Sequence, residues 1–318
     1  RGFGVNSSYA DVDGHGTAVA ATIAAARNNR HTMGIAWAAT VMALRTDDPT
    51  NCTDGGCTHP TSAIAAAIDH GWQNGARIIN ISLGGGPAPN ALLQAVSRAT
   101  AAGTIIVISA GNHGTGAPLV APDELAQSIA NPVYGHGLVI ITPSVNADDT
   151  INSVSAGVRG FETASIAGLG NAVRTIDHTG ADYAYTGTSF AAPQISGAAA
   201  LLAQAFPNLS GKQIVDLLLA TARDAGAPGP DARYGMGILD IAAAFAPSGA
   251  LTLAGSGIAV APDMTSGLSA PMGDVRPTSI SAVALDQLKR AYETDLTPNI
   301  ARRGPTLALA SALDTGQR

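Results

Sequence analysis

The chain has 318 residues, of which 46% are hydrophobic, 13% charged and 4% aromatic, with 37 glycines and a formal net charge of −6. This length allows one large domain or one domain with an appendage, and the composition predicts a well-buried core rich in small residues. The negative charge argues against nucleic acid as the main partner, and no apolar run reaches the roughly 18 residues that a membrane-spanning helix needs.

Strand and helix patterns alternate along most of the chain. Residues 104–109 (TIIVIS) form a continuous β-branched run, as expected of a strand that is buried on both faces. The alternation predicts an α/β fold, a three-layer domain with a mostly parallel sheet flanked by helices, whose active groups gather at the carboxyl ends of strands. Helices are predicted at 18–27, 62–74, 91–102, 189–205 and 211–223, and strands at 40–44, 77–83, 104–109 and 138–142, with one or two weaker strands within 153–167.

The composition shifts after Pro247. We predict one globular domain at 1–247 and a linker or appendage at 248–318. Gly, Ala, Ser, Thr and Pro dominate residues 248–274, as in a linker, and residues 281–294 suit one amphipathic helix.

The only two cysteines, Cys52 and Cys57, flank a Gly-Gly pair. A disulfide across this turn is sterically easy and suits an exported protein, whereas two free loop thiols would suit the cytosol. His59 alone does not complete a two-cysteine metal site. We predict the disulfide.

Ser189 lies at the predicted start of a long helix of small residues, within 187–193 (GTSFAAP). The unpaired backbone N–H groups of a helix start favour a developing negative charge, so this hydroxyl suits a nucleophile that passes through an oxyanion. The alternative is that Ser189 only caps the helix, since serine is a preferred N-cap. Pro193 is expected within the first helical turn, where proline is tolerated.

Two further polar residues stand at strand or helix ends. His15, in 13–17 (DGHGT), lies at a predicted helix start with Asp13 as a natural N-cap, although a lone histidine is more often structural. Asn112 follows the strand at 104–109 directly, and its amide could donate to an oxyanion; the alternative is an ordinary Asn-containing turn.

The segments around His15, Asn112 and Ser189, in this order along the chain, resemble the motifs of the subtilisin-like serine peptidases. The resemblance covers about residues 10–245, and it includes 80–84 (NISLG), similar to the strand that pairs with substrate, and 234–240 (YGMGILD), similar to the closing segment. It implies an endopeptidase that is secreted or at the cell surface and that acts on polypeptides.

The resemblance also implies roles. His15 would take the proton of Ser189 as it attacks the scissile carbonyl, while the Asn112 side chain and the Ser189 N–H hold the oxyanion. The implied substrate-binding residues, which would also line the principal side-chain pocket, are Ser82, Leu83, Gly84, Ser109, Ala110 and Gly111. The family allows a propeptide and bound calcium, but no Asp-rich loop matches a calcium pattern well enough to name ligands, and no other cofactor is expected.

The chain departs from the family where the triad aspartate is expected. That residue ends a hydrophobic strand well upstream of the histidine, whereas only fourteen residues precede His15 and none forms such a strand. Asp11 and Asp13 do not occupy the motif's position. The aspartate is therefore expected to be absent and the chain to be a fragment, and the alternative to an active enzyme is a non-catalytic peptide-binding relative or an inactive fragment.

Smaller departures are Phe190, where the family commonly has methionine, and Gln194, where it commonly has histidine. The small-residue stretch after Pro247 resembles the linkers of bacterial autotransporter subtilases, in which a β-barrel follows. No barrel strands occur in this chain, so a barrel would lie beyond Arg318.

Overall fold

The computed structural model describes residues 1–53, 56–113, 120–260, 266–268, 281–296 and 300–302. The chain divides into two compact units, Arg1–Phe245 and Ala246–Arg318. Part of the sequence assigned to a linker or appendage, residues 261–265, 269–280, 297–299 and 303–318, lies outside the described residues.

The helices of the first unit are α1 (His15–Ala24), α2 (Thr61–Gln73), α3 (Asn90–Ala101), α4 (Glu124–Ala130), α5 (Pro132–Gly135), α6 (Thr188–Ala205), α7 (Gly211–Ala220) and α8 (Ile241–Phe245), with one 3₁₀ turn at Glu162–Ala164. Five of these helices (α1, α2, α3, α6 and α7) correspond to predicted ones, with ends that shift by a few residues, and the three shorter helices α4, α5 and α8 were not predicted. The start of α7 shows how sequence sets these ends: the Ser210 side chain accepts from the N–H of Gln213, whose own side chain accepts from the N–H of Ser210. This reciprocal capping box satisfies donors that a helix start otherwise leaves unpaired.

The strands of the first unit pair mostly in parallel. They are β1 (Asp48–Thr53), β2 (Gly56–Thr58), β3 (Ile78–Ile81), β4 (Ile105–Ser109), β5 (Val139–Thr142), β6 (Ser144–Val145), β7 (Gly168–Leu169), β8 (Val173–Ile176) and β9 (Asp182–Tyr185). A parallel sheet has the order β3-β4-β5, with Asn80 opposite Val107 and Val107 opposite Ile140. β6 and β7 form a further parallel pair, and β1–β2 and β8–β9 are antiparallel hairpins.

Helices cover both faces of the β3-β4-β5 sheet. Every residue of β4 is buried, as its β-branched run predicts. One face packs against α2, α3 and α4 in a single apolar cluster, which includes Ile79, Ile106 and Ile141. α6 contacts all three strands, and none of its residues belongs to that cluster. The predicted three-layer α/β architecture is therefore confirmed.

Two predicted strand regions of the first unit are wrong. Residues 40–44 form no strand; next to them Arg45 makes one isolated bridge, to Gly2. Val41 and Met42 remain 45% and 38% exposed. The run is apolar enough for a strand, but no neighbouring described strand forms a backbone hydrogen-bond ladder with it. Within 153–167 only isolated bridges occur, at Ser155 and Ser165 among others.

The second unit is made of strands where a helix was predicted. Residues 281–294 form the hairpin β12 (Ser281–Leu285) and β13 (Ala291–Asp295), joined by antiparallel pairing, and β10 (Thr252–Leu253) extends this sheet on β12. β11 (Ser266–Leu268) pairs in parallel with β14 (Ile300–Arg302). At the hairpin turn the guanidinium of Arg290 binds the carboxylate of Asp286 at 2.7 Å, with both side chains fully buried.

The described helices include none that is both long and apolar enough to cross a membrane.

Cys52 and Cys57 form a disulfide that closes the β1–β2 hairpin, as the sequence predicted.

Candidate active site

The start of α1 carries His15. The N-cap residue is Gly14 rather than the predicted Asp13, and Asp13 instead accepts from the N–H of His15 at 3.0 Å. Asp11 is the main capping carboxylate, because it accepts from the N–H of Gly14 and from both the N–H and the hydroxyl of Thr17, at 2.7 and 2.6 Å. Burial alone would raise the pKa of Asp11, but these hydrogen bonds outweigh it and lower the pKa to about 2. The sequence signal for this role was the six-residue spacing of Asp11 and Thr17 around a glycine-flanked histidine.

The His15 ring is half-buried beside the start of α6. It makes an edge-on contact with Phe190, with ring centroids 5.7 Å apart, and Phe190 in turn stacks on Tyr185 at 4.8 Å. Burial lowers the pKa of His15 below its ordinary value, and the negative charges of Asp13 and Asp11 oppose that shift. Among the described residues no carboxylate hydrogen-bonds this ring, and no hydrogen bond joins it to Ser189. The His15 ring therefore lies beside the residue that follows Ser189 in the chain.

Ser189 is the second residue of α6, after the N-cap Gly187 and Thr188. The alternative that Ser189 caps the helix is wrong, since its hydroxyl points to the carbonyl of Ser82, 3.4 Å away. Pro193 is the sixth residue of the helix rather than a first-turn residue. A proline there has no N–H for the carbonyl four residues earlier, which belongs to Ser189. The hydroxyl of Ser82 donates to that carbonyl instead, at 2.7 Å.

Asn112 lies just past the carboxyl end of β4 and reaches the start of α6. Its Oδ1 accepts from the backbone N–H of Thr188 at 2.9 Å and from the Thr188 hydroxyl at 3.1 Å. Within the described part of the chain its Nδ2 donates to no protein group, and this atom lies 3.2 Å from the position that a Cβ on Gly187 would take. The amide is therefore fixed by its oxygen and keeps its donors free. The two hydrogen bonds from Thr188 hold the amide in this orientation, and the sequence did not predict this role for Thr188.

The two segments expected to bind substrate lie side by side at the carboxyl ends of β3 and β4. The hydroxyl of Ser109 donates to the carbonyl of Leu83 at 3.0 Å. Ser82, Ser109 and Ala110 are buried, Leu83 is half-buried and Gly84 is exposed. The position of these segments follows from the parallel sheet, since the carboxyl ends of neighbouring parallel strands share one edge. The loop after Asn112 continues into residues 114–119, which lie outside the described residues.

Among the described residues, one group of three metal-binding side chains could be considered for an ion. The one cluster close enough to hold an ion comprises Asp47, Cys52 and Cys57. The two sulfurs of this cluster are bonded to each other, so they are not available as thiolate ligands.

The model of the subtilase family (peptidase S8) matches residues 4–237. The chain belongs to the subtilase family. The family resemblance drawn from the motifs is thereby confirmed. Subtilisin DY from Bacillus licheniformis is 33% identical over 234 residues, which are 74% of this chain and 78% of that protein. Subtilisin Savinase from Lederbergia lenta is 32% identical over 250 residues, covering 74% of this chain and 79% of that protein.

Solved subtilase structures share the fold of this chain. MycP1 with its N-terminal propeptide removed superimposes with a TM-score of 0.60 at 26% identity, covering 74% of this chain and 80% of that one. The patellamide maturation protease PatA has a TM-score of 0.60 at 26% identity, covering 73% and 82%. As a subtilase, the chain is a serine peptidase, a hydrolase that acts on polypeptide substrates.

Proposed function

We propose that this subtilase cleaves peptide bonds with Ser189 as nucleophile, His15 as general base and acid, and Asn112 as a donor to the oxyanion. The observation that carries the proposal is the contact between Asn112 and Thr188. It holds the Asn112 amide, whose N–H groups pair with none of the described residues, beside the residue that precedes Ser189, at the positively polarised start of α6.

The proposed reaction has two halves. The Ser189 Oγ bonds to the scissile carbonyl carbon while its proton passes to His15, and the carbonyl oxygen becomes an oxyanion that faces the Asn112 Nδ2 and the Ser189 N–H. The carbon–nitrogen bond then breaks, and His15 returns the proton to the leaving amine. Water repeats the sequence on the acyl-enzyme, which releases the acid and restores the Ser189 hydroxyl.

The proposal assigns no triad role to Asp11 or Asp13. Both carboxylates accept hydrogen bonds from backbone groups at the start of α1. Burial lowers the pKa of His15, and the charges of Asp13 and Asp11 only oppose that shift through space, without a hydrogen bond from the ring.

We also propose that the protein is exported. The support is the Cys52–Cys57 disulfide, because such bonds persist in oxidising compartments outside the cytosol. A propeptide is part of the same proposal, by analogy with MycP1, whose solved form has its N-terminal propeptide removed.

The test is hydrolysis of an internally quenched peptide by the full-length natural protein and its variants. Ser189→Ala should lower the rate by several orders of magnitude, while Ser97→Ala, a control at a half-buried helical serine in α3, should keep the wild-type rate. Tight binding of the peptide without hydrolysis by the wild type would instead establish a non-catalytic peptide-binding protein.

A further inference from the structure

Asp123 lies between the two segments that the proposed function assigns to substrate binding. Its backbone N–H donates to the carbonyl of Ala110 at 2.9 Å, and its Oδ2 accepts from the N–H of Gly85 at 3.3 Å. Asp123 therefore contacts Ala110 in one segment and Gly85, the residue that follows the other segment.

The position of Oδ2 explains why residues 84 and 111 are both glycine. A Cβ added to Gly84 would lie 2.5 Å from this oxygen, and a Cβ added to Gly111 would lie 2.8 Å from it. Any other residue at either position would collide with the carboxylate. The absence of side chains at 84 and 111 thus leaves room for this acidic oxygen between the two segments.

The carboxylate of Asp123 has backbone partners and no cation. Oδ1 accepts from the N–H of Ala126 at 2.9 Å, and among the described residues no Lys, Arg or His side chain pairs with either oxygen. Burial raises the pKa of Asp123, and the neighbouring charge of Glu124 adds to that increase. A half-buried carboxylate carries a desolvation cost that a hydrogen-bonded cation offsets, so Oδ2 suits a positively charged partner.

Helix capping accounts for only half of this arrangement. Asp123 is the N-cap of α4, and the bond from Ala126 to Oδ1 fulfils that role. Serine or asparagine would cap a helix start equally well, without a charge. Capping does not place Oδ2 between Gly84 and Gly111.

We propose that Asp123 is a specificity-determining residue, which makes this peptidase prefer a basic side chain, lysine or arginine, immediately before the scissile bond. The inference rests on the proposed function, because it takes the Ser82–Gly84 and Ser109–Gly111 segments as the walls of the pocket for that side chain. The cation would enter between Gly84 and Gly111 and bind Oδ2 directly.

The experiment compares kcat/KM of the full-length protein for peptides that differ only in the residue before the scissile bond: Lys, Arg, norleucine, Gln and Glu. We expect Lys and Arg to exceed norleucine by about tenfold or more, the scale of one charge-assisted contact. Asp123→Asn keeps a capping oxygen but loses the charge, so it should remove that ratio. Glu124→Gln, the matched control at the exposed neighbour, should keep the basic preference.

Equal or faster hydrolysis of the norleucine peptide by the wild type would overturn the inference, as would an unchanged ratio in a folded Asp123→Asn variant. The wild-type ratio decides the question even if that variant does not fold. Failure to hydrolyse any of the five peptides would contradict the proposed function itself, and the specificity inference with it. That result is distinct from hydrolysis without a basic preference.

Discussion

The hydroxyl of Ser82 donates to the carbonyl of Ser189 at 2.7 Å. Pro193 has no N–H for this carbonyl, so Ser82, the residue that follows β3, supplies the donor that the helix lacks. The nucleophile's backbone is therefore tied to a substrate-binding segment, and the Ser82 hydroxyl itself accepts from the Asn80 amide at 2.9 Å.

Ser82→Ala should lower stability by about 1–3 kcal/mol, the cost of leaving a buried carbonyl unsatisfied. It should also lower kcat, because Ser189 loses a positional restraint. Ser82→Ala combined with Pro193→Ala should recover part of the stability, since the second substitution restores a backbone N–H that can reach the Ser189 carbonyl. Denaturant unfolding and peptide hydrolysis measure both effects. A double variant no more stable than Ser82→Ala would contradict this account of the helix start.

Removal of the Asn112 side-chain donor should lower kcat and change KM little. The expected loss for Asn112→Ala is about 10²- to 10³-fold, the magnitude known for such a donor in a subtilisin. Asn112→Asp keeps an oxygen for Thr188 but has no N–H, so it should be equally impaired. Thr188→Val leaves the Asn112 Nδ2 in place and should lower kcat by less than about tenfold. Wild-type-like turnover of Asn112→Asp would show that Asn112 acts only by holding α6.

The acidic limb of the pH–activity profile should lie below the ordinary histidine pKa of about 6.5. Burial lowers the pKa of His15, so its neutral, basic form persists to lower pH, and activity falls only as pH drops through that lowered pKa. Asp13→Asn removes a charge that raises the pKa of His15, while its amide oxygen still accepts from the His15 N–H. The midpoint of the acidic limb in kcat/KM should therefore move to a still lower pH. A wild-type midpoint above about 7 would contradict the prediction, since it would lie above the ordinary value.

In the second unit, Arg290→Met should destabilise the β12–β13 hairpin by about 3–5 kcal/mol, because it leaves the Asp286 carboxylate buried without its cation. Replacement of both partners, Asp286→Leu with Arg290→Met, should cost much less than the single change. Hydrogen exchange of amides in Ser281–Leu285 and Ala291–Asp295 measures this in the full chain. The prediction fails if the double variant exchanges faster than the single one.

The parallel sheet and the long helices could be predicted because their signals are local. The β-branched run of β4 and the capping serine of α7 specify strand and helix without distant partners. Residues 40–44 carry the same kind of apolar signal, but a strand also needs a ladder, which no short segment encodes. Asp286 and Arg290 have the four-residue spacing of a helical ion pair, yet they bind across a hairpin turn, so this spacing does not distinguish a helix from a hairpin here.

The site residues also divide into those that a local sequence motif identifies and those whose role depends on the folded structure. His15, Asn112 and Ser189 stand in recognisable motifs, so their sequence neighbours marked them. Asp123 lies in no such motif, because its position depends on where β3 and β4 end in space. The capping role of Asp11 also depends on where α1 begins, at His15, and the spacing of Asp11 and Thr17 alone does not fix that position.

The most direct test of the central claim is labelling of the full-length natural protein with a fluorophosphonate, which bonds to activated serine hydroxyls, followed by mapping of the modified residue by mass spectrometry. The account predicts a single label on the Ser189 Oγ, lost in Ser189→Ala, strongly slowed in His15→Ala and retained in Ser97→Ala. A folded wild-type protein that takes no label at Ser189, or takes it at another serine, would contradict the assignment of Ser189 as the nucleophile.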